Sequence, residues 1–397
     1  MIKVGVIFGG ESVEHEVSII SAVQAMYKMD NQKYEITPIY ISKDGEWYTG
    51  EILKDMETYK DMTLLKRYTK NVVLMKKGGR FVLQNKKGFK SIVKDIDIAF
   101  PIVHGNNVED GALQGYLRTL GIPFVGSDVA PSAIAQDKVF QRIIWEKEGI
   151  PVPKHVWFYD TDYITDKENV IDKIETLKYP LIIKPATLGS SVGIGTAKTT
   201  EELKEKIEDA IRYDKKIIIE EMVQNLTEVN ISILGNSTST NYSELERVLT
   251  DNELLTYEDK YISGNKKTGV KGGGSSKGIV STDRIIPADI SDELKDEIRQ
   301  YATSAFKALG LSGVVRIDFL IDQKKKKVYI NEANACPGSL SFYLWDPTGK
   351  KYTELLDDMI NIAIKDYKVR TSKIHSFESN ILQNFNGLKG SKGKLKF

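Results

Sequence analysis

The chain holds one cysteine, Cys336, in 397 residues. A lone thiol closes no internal disulfide, so a cross-linked secreted scaffold is excluded and the cytoplasm is the natural compartment. No apolar run approaches ~18 residues, so no membrane-crossing helix is expected. An excess of charge is missing as well: 56 Lys and Arg against 55 Asp and Glu leave +1. Nothing global therefore calls for nucleic acid or a membrane surface. The opening MIKVGVIFGGES has too short an apolar stretch for a signal peptide. Two nucleotide signatures are also absent. There is no GxGxxG, which disfavours an NAD oxidoreductase, and no GK[ST] closing a P-loop. What remains is 41% hydrophobic and 28% charged, an ordinary globular composition at a length that suits two or three domains.

The most informative stretch is GVVRIDFLIDQKKKKVYINEANACPG, Gly313 to Gly338. Two β-rich runs flank a tetralysine turn, which predicts a hairpin. Side chains two apart share a strand face, so Arg316 goes with Asp318 and Glu332 with Asn334. Pairing the strands collects a guanidinium, two carboxylates and an amide on one surface. Such hard oxygens suit Mg²⁺, not zinc. The same pattern also suits a plain Arg–Asp ion pair on an exposed sheet face.

Other stretches offer a ligand-binding geometry. Lys3 to Phe8 is a strand, Gly9-Gly10 a turn, and Glu11-Ser12 opens a helix bearing Val13, Val17, Ile20, Val23 and Tyr27. Glu14 falls in the first turn, where it suits either a ligand or the helix dipole. Tyr34 to Ile41 and Ile96 to Ile102 are further strands, the second ending at His104. Between them KKGGRFV reads as a hairpin turn. In an open α/β sheet Glu14 and His104 both follow strand ends, where ligands bind. Lys138 starts a helix whose inward set is read as Val139, Phe140, Ile143 and Ile144. A strand carrying Lys184 runs into the loop Gly189-Ser190-Ser191-Val192-Gly193, suited to phosphate oxygens or to a flexible hairpin. The strand KIIIE ends at Glu220. Residues 257–278 are Gly- and Lys-rich and read as a functional lid.

Nine stretches in order resemble the D-alanine–D-alanine ligases of the ATP-grasp superfamily: GVIFGGESVEHEVSIIS, PIVHGNNVEDGALQGYL, GIPFVGSD, IAQDKVF, PLIIKPATLGSSVGI, IIIEEM, YEDKY, VVRIDFLID and NEANACPG. The resemblance covers roughly residues 1–365. It implies an α/β ATP-grasp fold of three domains, with an N-terminal open parallel sheet and ATP held between the central and C-terminal domains. The expected divisions are 1–126, a substrate-binding domain; 127–226, the central subdomain; 227–365, the catalytic domain; and 366–397, a basic, solvated tail. It implies a cytoplasmic homodimer that joins two D-alanines at the cost of ATP, for peptidoglycan precursors.

The same resemblance implies residue roles. Lys138 and Lys184 hold ATP phosphates under the loop that contains Ser191. Glu220 accepts from the adenine amino group, the backbone at Glu221 and Val223 reads the ring, and Glu228 binds the ribose. Asp318, Glu332 and Asn334 ligate two Mg²⁺, with Mn²⁺ also accepted. Glu14 holds the first ammonium with Ser190 and Tyr261, and His104 lies near that substrate. Arg316 and the Gly338 N–H stabilise the acyl phosphate, the oxyanion and the second carboxylate. The chain departs from the family where a serine is usual five positions after Gly338: Tyr343 stands there, inside SLSFYLW. Ser339 and Ser341 are alternative donors. The departure leaves open a ligase using another second amino acid or amine. A nucleotide-binding module without turnover is a third reading.

Overall fold

The computed structural model describes residues 1–249 and 284–376. Tyr261, the 257–278 loop and the final residues Ile381, Leu382 and Phe385 lie outside the described residues.

The first sheet orders its strands β6-β5-β4-β3-β2-β1-β7. These are β1 (Ile2–Gly9), β2 (Tyr34–Ile41), β3 (Trp47–Thr49), β4 (Lys70–Lys77), β5 (Arg80–Asn85), β6 (Ile92–Ile96) and β7 (Ile98–Pro101). β1 is parallel to both β2 and β7. The open parallel sheet expected from sequence is confined to that half. From β2 outward through β6 every pairing is antiparallel. Connection length explains the split. The helix His15–Lys28 spans the β1–β2 crossover, as a parallel link requires, whereas β4 and β5 are joined by Gly78-Gly79 alone. Both glycines have positive φ, +55° and +78°, as the tight turn that matches strand twist demands.

The helix His15–Lys28 lies on this sheet by a face rotated from the expected one. Val17 is buried and Val23 packs on the core as expected, but His15, Ser18, Ile19, Ala22, Ala25 and Met26 are buried too, whereas Val13 and Tyr27 are exposed. Small residues at 18, 22 and 25 let the helix approach β1 closely. Apolar spacing alone did not separate this face from its neighbour.

A second sheet orders β10-β9-β11-β8, from β8 (His155–Tyr159), β9 (Leu181–Pro185), β10 (Gly195–Ala197) and β11 (Lys216–Glu221). Its apolar side packs on the helices Lys167–Ile174 and Thr200–Ala210 through Ile171, Ile174, Leu203 and Ile207. Each such side chain taken fully from water contributes about 1.5–3 kcal/mol.

The third sheet orders β15-β14-β12-β16-β17, with β13 paired to β12. Its strands are β12 (Leu226–Gly235), β13 (Thr240–Tyr242), β14 (Glu246–Val248), β15 (Arg284–Ile285), β16 (Gly313–Asp322) and β17 (Lys327–Asn334). One face buries Val229, Ile231, Val315, Ile317, Phe319 and Ile330 against the helix Asp292–Ala308. The alternate residues face the other sheets. The last helix, Tyr352–Thr371, packs Leu355, Leu356 and Met359 into the core of the first sheet. It extends past residue 366, where the solvated tail was expected to begin. Asp366 explains this continuation: its carboxylate accepts from Asn236 Nδ2 and Ser312 Oγ, each at 2.7 Å. Among the described residues no helix is long and apolar enough to cross a membrane.

Candidate active site

The hairpin of β16 and β17 forms as the two-residue periodicity predicts. Asp318 faces Glu332 across the strands, and Arg316 faces Asn334. Arg316 grips Asp318 with both arms of its guanidinium: Nε to Oδ1 at 2.6 Å and Nη2 to Oδ2 at 2.7 Å. Asn334 Nδ2 lies 3.3 Å from Asp318 Oδ2. The ion pair on an exposed face is half right. The pair exists, yet the Arg316 and Asp318 side chains are only 24% and 13% exposed, because the other two sheets cover the face. Burial pushes the Asp318 carboxyl up, Arg316 opposes this, and Glu332 and Glu246 add to it. Burial disfavours the Arg316 charge, but Asp318 outweighs it and holds the guanidinium protonated.

Opposite this face stand two buried lysines. Lys138 opens the helix Lys138–Lys147, whose N-cap Asp137 accepts from Val139 N and Phe140 N. Its Nζ donates to the Leu188 carbonyl at 2.6 Å and lies 3.7 Å from Glu332 Oε2. Burial lowers its pKa and Glu332 resists. Lys184 on β9 donates to Glu220 Oε2 at 2.6 Å and Asn331 Oδ1 at 3.2 Å.

The other Glu220 oxygen accepts from Arg142 Nε, at 2.6 Å. Glu220, expected to meet adenine, is thus first the anion between two buried cations. Burial opposes its charge, and Arg142 and Lys184 outweigh burial, so its carboxyl sits well below the usual range. Each oxygen retains a second lone pair.

Arg142 was not foreseen. The helix was expected to turn Val139, Phe140, Ile143 and Ile144 inward. It buries Lys138, Val139, Gln141, Arg142 and Trp145 instead, and leaves Phe140 47% and Ile143 45% exposed. The reason is electrostatic: Glu220 on β11 needs a second cation. The sequence signal was available in Trp145, which fits a 138-141-142-145 stripe.

On the first sheet's side, Glu14 is the N-cap residue of its helix and hydrogen-bonds the Ser190 hydroxyl. The loop bearing Ser190 turns by left-handed residues, Ser190 at φ +55° and Ser191 at +62°. Gly189 is dictated by contact: a Cβ there would stand 2.7 Å from Glu14 Oε2. His104 is buried, its Nε2 lies 3.1 Å from Ser21 Oγ, and burial drops its pKa to about 4.

Glu109 was passed over in sequence. Its oxygens accept from Gly105 N at 2.9 Å and Cys336 N at 3.0 Å, tying the His104 loop to the strand end before Gly338. Burial, helped by Glu14, raises its pKa to about 8. A carboxyl that binds its proton more tightly when folded favours folding at low pH. That advantage fades from the ordinary value of 4.5 up to about 8. Stability should therefore fall over this interval with a slope approaching ~1.4 kcal/mol per pH unit from this group. Glu109→Gln, which has no proton to lose, should flatten that part of a melting-temperature profile. An unchanged profile would show Glu109 ionised throughout.

Downstream of Gly338 the backbone holds Ser339, Leu340 and Ser341 at φ +50°, +53° and +48°. The Ser339 hydroxyl donates to Gln24 Oε1 at 2.7 Å, and Ser341 is fully buried. Neither is among the residues lining the central cavity, and Tyr343 is. Of these three side chains Tyr343 is the one that reaches the cavity.

That cavity, about 270 Å³, lies where the three sheets meet. It is lined by Glu14, Ser190, Arg316 and Gly338, and by Lys138, Lys184, Ser191, Glu220, Glu221, Val223 and Glu228. Asp318, Glu332 and Asn334 line it as well. Every expected site residue except the undescribed Tyr261 is thus brought to one place.

Three sheets closing on buried lysines, a Ser/Gly loop and an Arg-Asp-Glu-Asn face define an ATP-grasp ligase. Two family models cover the chain, one for the D-ala D-ala ligase N-terminus over residues 3–127 and one for its C-terminus over 144–361. The chain belongs to the D-alanine–D-alanine ligase family. It is 37% identical to the D-alanine–D-alanine ligase of Thermosipho melanesiensis over 386 residues, 96% of this chain and 99% of that one. Among solved structures it resembles the D-alanine–D-alanine ligase of Coxiella burnetii, at TM-score 0.76 and 26% identity over 94% of this chain and 98% of that one. It also resembles the VanG D-Ala:D-Ser ligase of Enterococcus faecalis, at TM-score 0.75 and 30% identity over 91% and 99%.

Proposed function

We propose that this protein joins two D-alanines into D-alanyl-D-alanine, with ATP converted to ADP and phosphate, for peptidoglycan precursor synthesis. The observation that carries the reading is the cavity itself: two buried lysines, the Glu14 carboxylate and the Arg316 guanidinium line one space, which suits phosphates, an ammonium and an oxyanion together. One carboxylate oxygen of the first D-alanine attacks the γ-phosphorus, ADP leaves, and an acyl phosphate forms. The amine of the second attacks the acyl carbon, phosphate leaves, and the amine gives up a proton. Phosphoryl transfer of this kind depends mainly on positioning and charge neutralisation.

The residues divide these tasks. Glu14, with Ser190, holds the first ammonium, and Tyr261 completes that group. Lys138 and Lys184 neutralise phosphate oxygens, and the loop through Ser191 closes over them. Arg142 and Glu220 fix Lys184. The Glu221 N–H already donates to the Lys154 carbonyl at 2.9 Å, so the ring edge falls to its carbonyl and the Val223 N–H. Glu228 takes the ribose. Arg316 and the Gly338 N–H face the developing oxyanion.

Asp318, Glu332 and Asn334 fit Mg²⁺, with Mn²⁺ as a substitute. They are hard oxygen donors, and two neighbouring carboxylates with a raised Asp318 favour a cation between them. Among the described residues no three His, Cys, Asp or Glu side chains form a complete cage, as expected where phosphates supply the remaining ligands. When bound, such ions neutralise phosphate charge and orient the β- and γ-oxygens. Family membership also supports a cytoplasmic homodimer, which sedimentation would test.

Incubating the protein with MgATP and D-alanine should yield D-alanyl-D-alanine and phosphate in equal amounts, identified by mass spectrometry. Phosphate release only with a different second amino acid would keep the mechanism and overturn the acceptor.

A further inference from the structure

The sheet face that carries Asp318 continues beyond it. β12 sets Asn230 beside Asp318 on one side and beside Glu246 of β14 on the other. β15 sets Arg284 beside Val248, two residues along the same face. Asn230, Glu246, Arg284 and Tyr343 all line the cavity that holds Arg316 and Gly338. Glu246 is buried, and its Oε1 accepts from Asn230 Nδ2 and from the Tyr343 hydroxyl, each at 2.9 Å. Its Oε2 lies 3.3 Å from Arg284 Nη1, and the guanidinium sits 4.3 Å from the Tyr343 ring centroid. A stacked ring and an ion pair together fix both the plane and the position of that guanidinium.

We propose that Arg284 receives the carboxylate of the second amino acid, with Glu246, Asn230 and Tyr343 holding its guanidinium in place. The inference rests on the ligase reading above. The acceptor is a zwitterion, so its carboxylate must meet a cation when its amine reaches the acyl carbon. Among the described residues four cations line the cavity: Lys138, Lys184, Arg284 and Arg316. Lys184 is paired with Glu220, Lys138 faces Glu332 and the Leu188 carbonyl, and Arg316 gives Nε and Nη2 to Asp318, which leaves its Nη1 for the oxyanion. Arg284 touches one oxygen of Glu246 and carries five N–H donors in a planar fork. That fork matches a carboxylate. The Ser339 hydroxyl is held by Gln24 and Ser341 is sealed in the core, so a guanidinium takes the place of a hydroxyl donor here.

The test separates the two half-reactions of the full-length protein. Hydroxylamine traps the acyl phosphate as a hydroxamate without an amino-acid acceptor. Dipeptide formation needs the acceptor site. Arg284→Met should raise the acceptor KM roughly 10- to 100-fold, the range for losing a hydrogen bond to a charged group. Hydroxamate yield should stay within about twofold, which also shows that the variant is folded. Preference for D-alanine over D-alaninamide as acceptor should fall by the same factor, because the amide has no carboxylate to lose. Arg284→Lys, which keeps the charge without the fork, should lie between. An unchanged acceptor KM overturns the proposal, as does an equal loss with D-alaninamide or a parallel loss of hydroxamate. Absence of both products from the unsubstituted protein overturns the ligase reading, and the proposal with it.

Discussion

Glu332→Ala should lower ATP turnover by about 10²- to 10³-fold, the range for removing one group that stabilises transition-state charge, and should leave the fold intact. Glu332 faces Asp318 across the β16–β17 pair and lies 3.7 Å from Lys138 Nζ. Its carboxylate therefore links the proposed metal face to Lys138, the lysine proposed to hold phosphate. Its side chain is 26% exposed, so truncation opens little core. Phosphate release measures the turnover, and a thermal melt reports the fold. Full activity in the variant would remove Glu332 from the metal assignment.

Arg142→Met should be strongly destabilising. Arg142 is fully buried, pairs with Glu220, caps the Asn331 carbonyl and lies over the Trp145 ring at 5.8 Å. Removing one partner of a buried ion pair costs about 3–5 kcal/mol, because the other charge stays buried. The expected result is a large drop in the midpoint of chemical unfolding. The penalty carries a pH signature. Glu220 has a depressed folded pKa, so its stabilisation is present above the ordinary value of 4.5 and is lost as pH falls below it. The gap between variant and parent should therefore narrow in acid. A cost under about 1 kcal/mol, the worth of an exposed pair, would mean that Lys184 alone satisfies Glu220.

These residues also show what the sequence reveals and what it hides. Arg316, Asp318, Glu332 and Asn334 were legible because a strand repeats every two residues and a hairpin is a local structure. The Gly78-Gly79 turn was legible for the same reason, since it needs only its own neighbours. Arg142 was hidden. A helix with Val139, Phe140, Ile143, Ile144 and Trp145 offers two apolar stripes, and the choice between them was made by Glu220, 78 positions away. Glu246 was hidden for a similar reason. It reaches the site only because β12 lies between β14 and β16, an order that no local pattern encodes. The parallel half of the first sheet followed from a strand-helix-strand rhythm. The antiparallel half depended on short links whose strands are too polar to announce themselves.

In the proposed reaction the first carboxylate is activated by phosphorylation in the cavity between the three sheets. The direct measurement uses D-alanine labelled with ¹⁸O in its carboxylate, MgATP and the intact protein. Attack on the γ-phosphorus places one carboxylate oxygen in the phosphate released, so the account predicts phosphate carrying a single ¹⁸O for each dipeptide formed. Dipeptide accompanied by unlabelled phosphate would contradict it.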